Sequence, residues 1–184
     1  MTFHILLLDG HTVQSISVAR ALKKTGYKVI AFVSERISFG AVCRYIDKRI
    51  WAPKVTDSEK YIRFLCDYLT RNRVDVIIPM YDDSAELLSR NKAMFEARFA
   101  VRCAVPDFPV FDKAHDKQKL MEFCRKRGFP HPATARLSEE NIEMAAGYVG
   151  FPAIIKPNIS AGARGIVQVD SIEDIHRKFP VIYR

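Results

Sequence analysis

The chain has 184 residues, 48% of them hydrophobic, and a formal charge of +8 at pH 7. That length holds one good-sized domain, or one domain and part of a second, and no stretch is long and charge-free enough to read as a membrane-spanning helix. The positive balance admits anionic partners such as nucleotides or nucleic acid, but it is spread along the chain, and the short cluster Arg125-Lys126-Arg127 does not alternate with aromatic residues as a stacking platform for single strands would.

Met1 to Gly10 is apolar but has no basic start and no small-residue cleavage site. It reads as a first strand, His4 to Asp9, rather than a signal peptide. Ser15 to Lys24 predicts a helix with Ile16, Ala19 and Leu22 inward, stopped by Gly26, and Lys28 to Val33 predicts a second strand. Strand, helix, strand at this length predicts a βαβ unit in a parallel sheet. The segment GHTVQS at 10–15 lacks the second and third glycines of a dinucleotide fingerprint, although Glu35 follows the second strand and can mimic a ribose-binding acid. A Rossmann oxidoreductase is thus a minor alternative. Residues 36–55 are irregular, with positive charge at Arg44, Lys48 and Arg49 and with Trp51-Ala52-Pro53 closing the segment against the core.

Thr56 to Glu59 has the spacing of a capping box for a helix running to about Arg71. Cys66 falls on its apolar face with Ile62, Leu65 and Leu69. Val74 to Pro79 reads as a buried strand. Asp82 and Asp83 follow its carboxyl end, where open α/β sheets place ligands. They are read either as holding an amine or, for Asp83, as the cap of a helix over Ser84 to Lys92. Phe99 to Val105 gives one more strand, and Pro106 to Pro109 marks a boundary.

Beyond the boundary, a turn or short helix links Phe111 to Asp116. Asp116 reads as the N-cap of a helix from Lys117 to Lys126, with Leu120, Met121, Phe123 and Cys124 on its inner side and Gly128 at its end. Pro130 and Pro132 shape an extended link into Leu137, and Ser138 starts a helix through about Ala146. The stretch Phe151 to Val169, FPAIIKPNISAGARGIVQV, then reads as strand, flexible loop, strand. Gly162 and Gly165 leave room for a ligand close to the main chain. Exposed N–H groups beside Lys156 and Arg164 suit polyphosphate, though an ordinary basic hairpin with a mobile turn has the same pattern. Gly-Lys-Ser/Thr is absent, so the loop is no Walker A motif. Ser171 to Asp174 is a weaker capping pattern for a final helix. Neither Cys43, Cys66, Cys103 and Cys124 nor the five histidines show metal-ligand spacing, which favours free thiols in a cytoplasmic protein.

Three pieces in order carry a resemblance: Asp116-Lys117, then Gly128-Phe129-Pro130-His131-Pro132-Ala133-Thr134, then Phe151-Pro152-Ala153-Ile154-Ile155-Lys156-Pro157 with the loop to Gly165. With these the chain resembles the front part of an ATP-grasp enzyme, a ligase related to carbamoyl-phosphate synthase, biotin carboxylase and D-alanine–D-alanine ligase. The resemblance implies an α/β fold: a small parallel open sheet, Rossmann-like, as a pre-ATP-grasp domain over 1–108, then a partial α+β ATP-grasp subdomain over 109–184. It makes Lys117 and Lys156 nucleotide-facing lysines. It makes Ser160, Ala161, Gly162, Ala163, Arg164 and Gly165 the loop that closes over the triphosphate; apart from the resemblance, the few packing atoms of its small residues make segment 159–165 the expected least ordered part of the second unit when no nucleotide is bound. Arg164 becomes the catalytic candidate; the serine-rich loops of some members differ there.

The cofactors so implied are ATP and Mg²⁺. In the implied reaction a carboxylate attacks the γ-phosphate, giving an acyl phosphate and ADP, and an amine then displaces phosphate. The partners are small-molecule carboxylate and amine substrates and, as an option, a second copy in a homodimer, with no specific nucleic acid and no membrane. One alternative is carbamoyl-phosphate-synthase-like phosphorylation of bicarbonate or carbamate; another is a basic module binding nucleic acid or protein. Nothing in 1–184 matches the family's adenine hinge or metal ligands. The chain is therefore expected to be a fragment that alone binds ATP weakly or not at all and does not catalyse ligation.

Overall fold

The computed structural model describes residues 2–160, 162 and 164–182. The chain divides into two compact units, Met1–Phe111 and Asp112–Arg184.

In the first unit the order is β1 (His4–Leu7), α1 (Val13–Lys24), β2 (Lys28–Val33), α2 (Phe39–Val42), β3 (Lys48–Trp51), α3 (Ser58–Arg71), β4 (Val76–Ile78), α4 (Asp82–Arg90), α5 (Lys92–Phe99) and β5 (Arg102–Cys103). The strands form one five-stranded sheet in the order β3-β2-β1-β4-β5, and every pairing is parallel. Successive side chains on a strand face opposite ways, and both faces of a helix-covered parallel sheet are buried. The apolar runs serve both. Leu6, Leu8, Ile30, Phe32 and Ile77 meet Tyr61, Leu65, Tyr68 and Leu69 of α3, Leu87 and Leu88 of α4 and Phe95 of α5. Ile5, Leu7, Val29, Ala31 and Val33 meet Ala19 of α1, with Cys43 and Ile46. Ile16 and Leu22 pack at the margin of that second cluster, as the helical spacing predicts. Ile62 and Cys66 likewise border the first cluster, on the expected face of α3.

Helix α6 (Phe108–His115) spans the division. The second unit continues with α7 (Lys117–Arg127), α8 (Ile142–Val149), β6 (Ala153–Ile155), β7 (Val167–Val169) and α9 (Ile172–Ile182). Strands β6 and β7 pair antiparallel as a separate two-stranded sheet. The fold class expected from the sequence is present: a parallel Rossmann-like sheet, then an α+β unit consistent with a partial ATP-grasp subdomain.

Several boundaries differ from the sequence reading. The cap of α3 is Asp57, whose carboxylate accepts from the Lys60 N–H at 3.3 Å, one residue past Thr56. Helix α8 begins at Ile142 because Ser138 and Asn141 spend their polar groups on a turn, the Ser138 N–H donating to Asn141 Oδ1 at 2.8 Å. The single helix expected after β4 is two, joined at Asn91, and α5 occupies residues 92–99. Trp51 does not close its segment against the core; its side chain is 55% exposed, while Ala52 packs inward. The inner side expected for α7 is only half-buried. The cap at Ser171 holds: the Asp174 N–H donates to Ser171 Oγ at 3.2 Å.

Candidate functional site

In the second unit the hairpin presents the loop. Ile155 and Val169 are buried against Ile142 and Ala146 of α8 and Ile175 and Phe179 of α9. Ile154 and Gln168, one residue out of phase, are exposed. The anchored residues fix where the strands end, and residues 156–166 connect them. Lys156 follows β6 directly and is exposed. Gly162 and Gly165 have φ of +64° and +71°, angles that a side chain resists. Arg164 lies exposed in the turn between them. Ala161 and Ala163 lie outside the described residues.

Lys117 is drawn to the base of this loop. It is the first residue of α7, whose cap is Asp116 as the sequence predicts. The Asp116 carboxylate accepts from the N–H groups of Gln118 at 2.9 Å and Lys119 at 3.1 Å, an arrangement that contributes about 1 kcal/mol to a helix. The Lys117 N–H donates to Asn158 O at 3.1 Å. Its ammonium donates to Asn158 O at 3.2 Å, to Ser160 O at 3.2 Å and to Ser160 Oγ at 3.3 Å. The Asn158 amide donates to Gln118 Oε1 at 3.3 Å, so both Lys117 and Gln118 in the first turn of α7 are bonded to the loop. A lysine at a helix N-terminus opposes the helix dipole; here loop oxygens compensate it. The structure thus brings together Lys117 and Ser160, which lie 43 residues apart in sequence, and sets Lys156 at the same loop's start.

In the first unit the helix after β4 starts at Asp82, so Asp83 lies inside its first turn and is not its N-cap. Asp82 and Asp83 sit exposed in the first turn of α4, whose N-cap is Tyr81, and no side chain caps that helix. The buried acid at this end of the sheet is Asp9. It follows β1 with φ of +55° and is 7% exposed. Its carboxylate accepts from the Ser84 hydroxyl and from the backbone N–H groups of Met80 and Tyr81. Sequence reasoning passed over Asp9; its one signal was an acid closing an apolar strand.

Burial pushes the Asp9 carboxyl up, outweighing the Ser84 hydroxyl, the His11 charge and the two backbone donors that pull it down. The folded state then keeps a proton that the unfolded chain has lost. This contribution to stability is complete below the unfolded carboxylate value, near 4, and is lost as pH rises through the folded value. Wild type is therefore expected to lose stability relative to Asp9→Asn as pH climbs from about 4. Urea unfolding of both proteins at a series of pH values checks this; a constant difference contradicts it.

A domain-family model described as PylC-like, N-terminal domain, matches residues 5–101, more than half of the chain. The chain belongs to the PylC-like N-terminal domain family. The match covers β1 through α5 and stops at Val101, just before β5. Relatives extend past this PylC-like part. The carbamoyl phosphate synthase large chain, N-terminal section, of Aquifex aeolicus is 24% identical over 169 residues, which is 88% of this chain and 29% of that protein. Among solved structures, the biotin carboxylase domain of Hydrogenobacter thermophilus 2-oxoglutarate carboxylase, in complex with MgADP, ADP and bicarbonate, gives a TM-score of 0.74 at 20% identity, over 100% of this chain and 41% of that one. The N5-carboxyaminoimidazole ribonucleotide synthetase of Thermus thermophilus gives 0.71 at 16% identity, over 97% and 44%. At these identities the likeness shows the fold alone. The PylC-like chain spans less than half the length of each of these relatives.

Proposed function

We propose that Lys117, Lys156 and the loop 158–165 form one wall of an ATP site, in a protein that activates a carboxylate as an acyl phosphate and passes it to an amine. The observation that carries this is the Lys117 ammonium held by the carbonyl and hydroxyl of Ser160. Those partners are neutral oxygens, at the foot of a loop that also carries Lys156 and Arg164. Cations and glycine-allowed N–H groups are what polyphosphate oxygens need.

In this reading Lys117 and Lys156 neutralise phosphate oxygens. Arg164 balances charge on the transferring phosphoryl group, and loop closure excludes water. When bound, ATP supplies the phosphoryl group that makes the carboxylate carbon electrophilic. No group of three or more acidic, histidine or cysteine side chains among the described residues could hold a metal ion, so magnesium is assigned to no residue here. On the domain reading, 1–108 is the pre-ATP-grasp domain and 109–184 the start of the ATP-grasp domain, with carboxylate and amine as substrates and a homodimer as an option. The likeness to the Aquifex protein over 88% of the chain favours one second reading, phosphorylation of bicarbonate or carbamate at the same loop. Four free thiols, two buried and two half-buried, favour the cytoplasm. Among the described residues no helix is long and apolar enough to cross a membrane.

The test is a two-dimensional NMR titration of residues 1–184 with Mg·ATP. The expected result is weak, saturable binding in the millimolar range, about −4 kcal/mol, with shifts confined to Lys117 and 156–165. Lys117→Met and Lys156→Met should each reduce those shifts. Shifts that map elsewhere, or that survive both substitutions, refute the assignment.

A further inference from the structure

The strands of a parallel sheet all begin at one edge, and in the first unit that edge is basic. His4, Lys28, Lys48 and Arg102 are the first residues of β1, β2, β3 and β5, and Arg71 and Arg73 shortly precede β4. The backbone ladder holds them in a row. The Lys28 N–H donates to Phe3 O at 2.9 Å, the Asp75 N–H to His4 O at 2.8 Å and the Arg102 N–H to Asp75 O at 2.9 Å. With neighbouring strands about 4.8 Å apart, the row crosses all five strands in about 19 Å. Lys28, Lys48, Arg71, Arg73 and Arg102 are all exposed. A groove of about 420 Å³ opens beside the start of β4, between the ends of α3 and α5, lined among others by Arg71, Asn72, Arg73 and Phe99.

The acids at this edge are spent on its backbone. Asp47 accepts from the Val29 N–H at 2.8 Å and pairs with Lys23. Asp75 accepts from the His4 N–H at 2.7 Å and pairs with Arg73 at 2.9 Å. Glu96 accepts from the Cys103 N–H at 2.9 Å and reaches Arg102 only at 4.0 Å. Lys28, Lys48 and Arg71 are in no ion pair among the described residues, and Lys48 meets only the neutral Asn72 Oδ1, at 3.5 Å. Arg71 ends α3 and complements its dipole. Lys28, Lys48 and Arg102 begin strands, which have little dipole to offset. A row of cations that the fold leaves unneutralised suits a chain of regularly repeated negative charge. Phe3 decides among such chains. It precedes the central strand β1, is 50% exposed and stands edge-on to Tyr27 at 5.9 Å. A single-stranded nucleic acid brings phosphates for the cations and unpaired bases to stack on an exposed ring. An acidic protein surface brings charge without the bases, and a duplex keeps its bases stacked on one another.

We infer that the amino edge of the five-stranded sheet binds single-stranded nucleic acid without sequence preference, with Lys28, Lys48, Arg71, Arg73 and Arg102 holding phosphates and Phe3 stacking on a base. This edge lies at the opposite end of the sheet from the carboxyl ends of the strands, where open α/β folds place small ligands. It uses no residue of the second unit and does not rest on the ATP site proposed there.

The experiment is fluorescence anisotropy of labelled oligo-rU and oligo-dT, each of about 12 nucleotides, titrated with residues 1–184 at a series of salt concentrations. A duplex of the same length and poly-L-glutamate are the competing probes. Lys28→Gln/Lys48→Gln/Arg71→Gln removes the unpaired cations of the edge. Arg125→Gln/Lys126→Gln/Arg127→Gln removes as many exposed charges from α7. Phe3→Leu keeps an apolar contact with Tyr27 and removes the ring. Circular dichroism checks that each variant is folded; the three edge substitutions made singly replace the triple if it is not. Saturable, salt-weakened binding is expected. The slope of log affinity against log salt should be shallower by about 2 in the edge triple, or by about 0.7 in each single variant, and unchanged in the α7 triple. Phe3→Leu should bind about fivefold more weakly. The tighter of the two strands names the source of the phosphodiester. Four results overturn the inference. The first is no saturable binding of either strand. The second is equal loss in the edge and α7 variants, which would make the attraction one of net charge alone. The third is tighter binding of the duplex. The fourth is displacement of the strand by poly-L-glutamate at equal charge concentration, which would make this a surface for an acidic protein.

Discussion

Replacing Gly40 by alanine is expected to destabilise the first unit by about 3 kcal/mol or more, lowering its unfolding midpoint by upwards of ~10 °C. A Cβ at Gly40 would stand 1.6 Å from the carbonyl oxygen of Gly10 and 2.5 Å from its carbon. Both are main-chain atoms, so no side chain can swing aside. Gly10 cannot retreat either. Its N–H donates to Phe32 O at 2.7 Å, and a Cβ of its own would lie 2.6 Å from the Cβ of Ala31. Relief therefore requires α2 to lift away. That movement would strain the Arg49 guanidinium, which donates to Gly40 O at 3.0 Å and to Cys43 O. Gly147→Ala is the matched control. Gly147 is an exposed position inside α8, and a methyl group added there would meet nothing within 4 Å, so alanine should stabilise by about 0.5–1 kcal/mol. Thermal unfolding of the two variants decides the matter; a wild-type midpoint for Gly40→Ala would mean that α2 and Gly10 do not approach this closely.

This contrast also shows where sequence reading reaches and where it stops. Strands β1, β2 and β4 were legible because a strand buried on both faces must be an apolar run. The cap at Asp116 and the hairpin around Gly162 and Gly165 were legible because caps and tight loops demand particular residues locally. Gly40 gave no such signal. Its requirement comes from Gly10, thirty residues earlier in the chain, brought near only by the fold. The same holds for the candidate site. Lys117 and Lys156 could be picked out by resemblance to the ATP-grasp family, but the seating of the Lys117 ammonium on Ser160 is a tertiary contact. Asp82 and Asp83 looked like the acids of the β4 end because they are adjacent there in sequence. Asp9, the buried acid at that end, was not legible because it arrives from the neighbouring strand, far away in sequence. The displaced cap of α3 has a smaller cause: Thr56 and Asp57 are both competent caps, and a shift of one residue costs little.

Phe32→Ala is expected to cost about 3–5 kcal/mol, the largest loss from a single core side chain in the first unit. Phe32 is 1% exposed on β2, a strand flanked by β1 and β3. Its ring meets those of Tyr68 at 5.1 Å, Phe64 at 5.2 Å and Tyr61 at 6.3 Å, each edge to face. Such pairs add to the area they bury, and all three partners come from α3. Removing the ring therefore loosens the whole contact of α3 with the sheet. The backbone ladder would survive, because the β1–β2 and β2–β3 pairings use main-chain atoms only. Phe32→Leu refills most of the volume and should cost less, under about 2 kcal/mol. Urea unfolding checks both: the midpoint should fall steeply for alanine and modestly for leucine, with the slope unchanged if the native state stays compact. Equal losses of stability for alanine and leucine would show that edge-to-face ring contacts, rather than filled volume, hold α3 to the sheet.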